Sequence, residues 1–460
     1  MSGRLRKLTL SEWDPRYQEL RAAGLVERPY GGPLRRHVDD GDLRLLSLEF
    51  DGSAAALRLW NFLLTEEDRL RKHRAEGRKL VGAMKDLGTV PVIAYASDAL
   101  VAFYPDGAWW IPCVMQMSEG LLQVADRLGI DESFCPVRAM LGAFLTGAHF
   151  PIPDVLTCSV GAVCDDFSAI AQRLVGMGHP VFWWEMPHRR QVEEGEIAVP
   201  LPGGVLAPAE QVAFVRSELE RVREELSRVS GSPITDAMLA RSIRRANRFR
   251  RVLDRLRLLA YAAEPCPMPS LELLVAEMIA LHFCSDADEA VSVVEELLAE
   301  TEARVDRHQG VLESGAARLF WVNPVADMRV MNLVEQCGGR ICGTEYLFSH
   351  ALDPIPEDVE PMEALARCAL ADPMVGPASE RVERIVSDVQ RFGAEGIVVS
   401  RIPGASHCAF EGEVLRDAMG ERAGVPVVEV EVPPVSDSLM PTLRTRLDAL
   451  VETVRALRQG

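Results

Sequence analysis

The sequence predicts an α/β protein with two Rossmann-like parallel-sheet domains, a helical N-terminal lead and a helical connector. Two blocks of the chain alternate short apolar runs with amphipathic helical patterns, as right-handed βαβ units around a parallel sheet require. Between these blocks lies a long stretch with helical periodicity and no strand-like run. At 460 residues the chain is also too long for one compact core.

Residues 1–88 form the predicted helical N-terminal segment. Its stretch "GSAAALRLWNFLLTEEDRLRKHRAEGRKLVGAMKDLG" sets apolar residues at helical spacing among charges, with Gly88 as the stop. Residues 89–206 form the first α/β domain. There "VPVIAYAS", "PDVLTCS" and "HPVFWWEMP" read as strands, and "EGLLQVADRLG" and "DDFSAIAQRLVGMG" as helices. Residues 207–312 are the connector, with helices "PAEQVAFVRSELERVREELSRVSG", "TDAMLARSIRRANRFRRVLDRLRLLAYA" and "SLELLVAEMIALHF", each opened by Pro or a capping-type residue. Residues 313–460 form the second α/β domain, from "ARLFWVNP" through "EGIVVSRI" and "VPVVEVEVPP" to the amphipathic helix "TLRTRLDALVETVRALRQ".

Composition narrows the function. Hydrophobic residues at 48% and charged residues at 26% are those of a soluble globular protein. A net charge of −18 disfavours nucleic acid and anionic membranes as partners. The basic start "MSGRLRKLTLSEWDPRYQEL" is not followed by a signal-peptide core, and Asp98, Pro105 and Asp106 interrupt the most apolar early stretch. A cytoplasmic protein is expected, so the ten cysteines should be reduced. No CxxC pair occurs, which argues against zinc ribbons and thioredoxin-like chemistry.

In parallel sheets ligands gather outside the carboxyl ends of strands, and two cysteines stand there, with a third ahead of a helix. Cys164 lies between "PDVLTCSVGAV" and the helix "DDFSAIAQRL", and Cys408 holds the matching place between "EGIVVSRIPGASH" and "AFEGEVLRDAM". Cys135, in "DESFCPVRAMLGAF", sits between two predicted helices. Helix starts favour thiolate, so three such sulfurs would suit an iron–sulfur cluster; buried structural thiols are the alternative. Cys158 competes with Cys164 for the second place.

The chain resembles the iron–sulfur subunits of the 2-hydroxyacyl-CoA dehydratase and benzoyl-CoA reductase family. The first matching block is "FCPVRAMLGAFLTGAHFPIPDVLTCSVGAVCDDFSAIAQRLVGMGHPVFWWEMP". The second runs from "ARLFWVNP" through "LVEQCGGRICGTEY" and "EALARCALADPMVGPASERVERIV" to "GAEGIVVSRIPGASHCAFEGEVLRDAMGERAGVPVVEVEV". The resemblance implies a [4Fe–4S] cluster between the two α/β domains, held by Cys135, Cys164 and Cys408. It further implies a paralogous partner subunit or a homodimer, an acyl-CoA substrate, and a separate ATP-dependent iron–sulfur activator protein. No Walker loop is present, so the ATPase belongs to another chain.

The implied reaction is loss of water from a 2-hydroxyacyl-CoA by one-electron chemistry through a ketyl radical. Alternatives are a benzoyl-CoA-type aromatic reductase subunit and a non-catalytic or homodimeric double-cluster redox protein. His407, beside Cys408, is expected as a proton donor or cluster hydrogen-bond donor, against a loop histidine with no role. Asp165 and Asp166 read as helix-start caps, and Phe182, Trp183 and Trp184 as strand packing rather than a CoA-stacking surface.

Overall fold

The computed structural model describes residues 3–23, 46–85, 88–107, 120–282 and 285–459, without the side chains of 281, 282, 349 and 408–410. The N-terminal part carries helices α1 (Leu10–Ala22), α2 (Ala54–Leu64) and α3 (Glu66–Ala75). The chain then enters strand β1 (Lys79–Met84), helix α4 (Val90–Ala94) and strand β2 (Leu100–Phe103). Helix α5 (Leu121–Arg127), a 3-10 turn over Pro136–Arg138 and helix α6 (Ala139–Thr146) precede β3 (Val155–Gly161), α7 (Asp165–Gly176) and β4 (Val181–Met186).

Two expectations are corrected here. "VPVIAYAS" is not a strand: it contains α4, with Pro91 in the first turn, where a missing N–H costs nothing. A short run buried on every side has no period to separate helix from strand. Conversely, "KLVGAM", read as the end of a long helix, is β1. The preceding helix stops at Ala75, and Gly77, with φ +87°, turns the chain into the strand.

A short hairpin, Ala198–Pro200 with Leu206–Pro208, leads into four long helices. These are α8 (Ala209–Ser230), α9 (Asp236–Ala262) and α10 (Ser270–His282), which agree with the three helical stretches of the sequence, and a fourth, α11 (Ala287–Asp306). Next come β5 (Ala317–Val322), α12 (Arg329–Gln336), β6 (Gly339–Glu345), α13 (Pro361–Leu370) and α14 (Ala378–Phe392). The last elements are β7 (Gly396–Arg401), α15 (Ser406–Arg422), β8 (Val427–Glu431) and α16 (Met440–Leu457).

Strands β1–β8 make two four-stranded sheets, parallel throughout, ordered β2-β1-β3-β4 and β6-β5-β7-β8. The expected pair of Rossmann-like sheets is therefore present, and both have the same strand order. In each, the chain reverses direction of travel across the sheet beside the first strand, between β1 and β3 and between β5 and β7. That place is the crevice where open α/β sheets bind ligands. Register puts Met84 opposite Cys158 and Cys158 opposite Trp183, so Cys158 lies within the sheet.

The helical section binds the two sheets together. Helix α8 packs on β4 of the first and α13 of the second, while α9 packs on α11 and reaches α4 and β6. Arg304 forms a bidentate pair with Asp51, and Glu272 accepts from the Asp51 amide and the Trp60 indole, both at 2.9 Å. All four side chains are buried, and their mutual pairing offsets the cost of desolvating them. Among the described residues no helix is long and apolar enough to cross a membrane.

Candidate metal centre

After β3 the chain makes a tight exit. Gly161, at φ +93°, lies against the Met186 carbonyl where a Cβ would collide, and Ala162 N donates to that carbonyl at 2.7 Å. Val163 then adopts φ +75°, a left-handed conformation that a β-branched residue rarely takes. This turn places Cys164 at the N-cap of α7. Its thiol is buried and pushed up to about 12, first by loss of water and then by the Asp166 carboxylate. The backbone N–H groups of Phe167 and Asp166 and the Ser406 hydroxyl oppose that rise.

The second lobe brings α15 to the same place. Asp166 Oδ2 accepts from Ser406 N at 2.9 Å and from Ser406 Oγ at 3.0 Å. Ser406 Oγ in turn lies 3.9 Å from Cys164 Sγ. Helices α7 and α15 thus meet start to start, and the Asp166 carboxylate sits where their two positive dipole ends would repel. Asp166 was expected to cap its own helix; it caps the helix of the other lobe instead.

His407 adds a second link across the junction. Its Nε2 donates to the Val163 carbonyl at 3.1 Å, and its Nδ1 faces Glu411 Oε1 at 3.5 Å. Acceptors at both ring nitrogens favour the imidazolium, so the His407 pKa is raised, chiefly by Glu411 and against its burial. Glu411 is held by Arg381 at 2.9 Å, and Arg381 also pairs with Glu345 and Asn323. This buried network anchors the first turns of α15 to the ends of β5 and β6.

Cys135 joins from a third element. It is the N-cap of the 3-10 turn Pro136–Arg138, and its side chain is buried. Gly404, at φ +77°, presses on the preceding residue: a Cβ there would stand 2.7 Å from Phe134 C and O. The loop before α15 is therefore seated directly on the backbone that carries Cys135. Cys408 is the third residue of α15, inside its first turn rather than just before the helix, and its side chain lies outside the described ones.

The structure accordingly converges the chain segments bearing Cys135, Cys164 and Cys408. Among the described residues no group of three His, Cys, Asp or Glu side chains is close enough to hold a metal ion. Cys158 is fully buried mid-sheet, with its Sγ 3.3 Å from the Ser159 carbonyl, whereas Cys164 stands at the start of α7 with its Sγ 3.9 Å from Ser406 Oγ of the other lobe. Trp184 is buried and Phe182 and Trp183 are half-buried, with the Arg221 guanidinium 5.5 Å from the Phe182 ring centre, which fits strand packing.

Sequence reasoning missed four participants. Ser406 and Arg381 act across long stretches of chain, while Glu411 lies one helical turn from His407; the Ser at a helix start and the His407–Glu411 spacing carried local signals. The fourth is Lys85, the residue after β1. It is 1% exposed, at φ +67°, and its Nζ donates to Ser168 Oγ at 2.8 Å in the first turns of α7. Burial lowers its pKa, while the Cys158 and Cys164 sulfurs and Asp165 act in the opposite sense.

A further buried acid lies in the second lobe. Asp372 is raised to about 7, mainly by burial, with the Met374 amide, His407 and Arg189 pulling it down. Its Oδ2 stands 3.9 Å from Nε2 of the fully buried His350. The native acid holds its proton above the unfolded value of about 3.9, so the folded state binds more protons between there and about 7. Stability from this group is full below that window and lost as pH rises through it. Asp372→Asn is expected to flatten this fall by on the order of 1 kcal/mol or more. Thermal melts of both proteins at pH 5 and pH 7.5 test it; parallel losses would show that Asp372 does not cause the fall.

Two parallel α/β lobes facing each other across their ligand crevices, with cysteine-bearing helix starts between them, define a bilobal α/β protein with a thiol-lined junction. Over residues 89–454 the chain matches the family described as 2-hydroxyglutaryl-CoA dehydratase, D-component, and it belongs to that family. The resemblance carried by the two sequence blocks is thereby borne out. The family is one of dehydratase components, and in general of iron–sulfur ones. No curated protein matches the chain.

Proposed function

We propose that this protein is the [4Fe–4S] subunit of an enzyme that removes water from a 2-hydroxyacyl-CoA. One observation carries the reading: three cysteine-bearing segments, remote in sequence, meet where the two sheets' ligand crevices face each other. The residues suit the cofactor. A thiol held at a helix start but deprived of water is poorly stabilised as a bare anion, and a cationic iron supplies what it lacks. Cys135, Cys164 and Cys408 would hold the cluster, leaving one iron for another ligand.

When bound, such a cluster supplies single low-potential electrons and a Lewis-acidic iron. The chain's own part is positional and protonic. Asp166 and Ser406 lock the two lobes, keeping bulk water from the junction. His407, oriented by Glu411 at Nδ1, carries a proton at Nε2 beside Cys408 and is the proposed donor to the departing hydroxyl. The subunit would work with a paralogous partner or a second copy, and would receive electrons from a separate ATP-dependent activator.

Anaerobic turnover tests the reading. The reconstituted protein, with its partner subunit, activator and ATP, is expected to convert 2-hydroxyglutaryl-CoA to the unsaturated thioester. Reduction of benzoyl-CoA with no dehydration of the hydroxyacyl thioester would replace it with the aromatic-reductase reading.

A further inference from the structure

The two lobes have the same strand order, so their parts can be compared place by place. Lys85 directly follows β1, the first strand of one sheet, and Asn323 directly follows β5, the first strand of the other. Both adopt the left-handed conformation, at φ +67° and +73°. Asn accepts this backbone readily, whereas a lysine is strained in it. Asn323 spends its side chain on the scaffold, donating to the Ser400 carbonyl at 2.8 Å and accepting from Arg381. Lys85 instead buries an ammonium, and among the described residues no carboxylate lies within ion-pair distance of it. A strained backbone and an uncompensated buried cation in the ligand crevice together call for a negative group that the described side chains do not supply. The Cys158 and Cys164 sulfurs and the Asp165 carboxylate act on Lys85 with the opposite sign without an ion pair to it, so the direct counter-charge is left to whatever Cys164 binds.

We propose that Lys85 is a positioning residue for the cysteine centre: its ammonium, braced on Ser168 of α7, is the fixed counter-charge of a cluster held at Cys164 and sets its reduction potential. This rests on the cluster reading above. Three thiolates outweigh the positive charge of a cluster core, and one-electron reduction adds a further negative charge. A nearby cation therefore favours the reduced state more than the oxidised one and raises the potential.

The test compares wild type with Lys85→Met, Lys85→Asn and Lys85→Arg, each reconstituted anaerobically, by iron and sulfide analysis and EPR-monitored redox titration. Lys85→Asn carries the residue that the other lobe uses at this backbone conformation, so loss of charge is separated from loss of fold. The Met and Asn variants are expected to load fully but show a reduced-to-oxidised ratio at least tenfold lower at a given applied potential. For a one-electron couple that is a midpoint about 59 mV more negative. Lys85→Arg should stay within threefold of wild type. Loading by Arg but not by Met or Asn would also support the counter-charge. Met and Asn variants titrating with wild type would overturn the proposal, as would failure of all three to load or an Arg shift as large as the Met shift. If wild type itself binds no iron, the cluster reading fails first; a loaded wild type with an indifferent Lys85 leaves that reading standing.

Discussion

Cys135→Ser, Cys164→Ser and Cys408→Ser are each expected to abolish cluster loading, from about four irons per chain in the wild type to a small fraction of that. Serine keeps the shape of the side chain but not a usable anion, since its hydroxyl holds its proton far more firmly than a thiol does. The effect should be sharpest at Cys164, where Ser406 Oγ and Asp166 Oδ2 offer a new hydroxyl two ready hydrogen-bond partners. Cys164→Ser should therefore fold normally, with a melting temperature close to that of apo wild type. Cys158→Ser is the control. It buries a hydroxyl mid-sheet and should cost about 1–3 kcal/mol, yet retain its iron. Iron retained in Cys164→Ser, or lost only in Cys158→Ser, would transfer the second ligand position to Cys158.

Gly404→Val should separate the lobes at the centre without touching any sulfur. The substitution puts a branched side chain on a residue at φ +77°, with its first carbon 2.7 Å from the Phe134 backbone. Left-handed strain of about 1–2 kcal/mol and overpacking of about 1–3 kcal/mol act together, and backbone cannot yield as a flexible side chain would. A loss of about 2–5 kcal/mol is expected in denaturant unfolding, with iron loading falling alongside. Gly420→Ala provides the contrast: it lies in α15, the helix that follows the Gly404 loop, with open space around its Cβ. That change should be neutral or stabilise by up to about 1 kcal/mol and leave loading intact. Normal iron content in Gly404→Val would mean that the Phe134 contact does not position Cys135.

Much of this architecture is legible in local pattern. "PDVLTCS" followed by "DDFSAIAQRL" signals a strand and then a helix start, and that is where Cys164 stands. The long connector helices announce themselves through periodicity sustained over many turns. Short elements are less secure. β1 follows a charged helix with only Gly77 between them as punctuation, and α4 is a brief apolar run whose Pro91 suits either a helix start or a strand edge. The helix starts at Ser406, two residues before the cysteine, although "PGASH" reads as loop up to it.

What local pattern cannot reach is the junction itself. Asp166 capping Ser406, His407 meeting Val163 and Gly404 seated on Phe134 all join residues more than two hundred positions apart. No periodicity encodes such pairs. Lys85 escaped notice for a related reason: its burial and left-handed backbone follow from strand order, which only the assembled sheets reveal.

Each sheet is drawn from one uninterrupted stretch of chain, 79–186 for the first and 317–431 for the second. During synthesis the earlier stretch can therefore complete its pairing while the later one is still being translated. Cys135 and Cys164 emerge with the first sheet, but Cys408 follows only after three strands of the second. A cluster held as proposed could not be completed before both stretches have been made, and a chain truncated ahead of Cys408 would present two orphan thiols without the third.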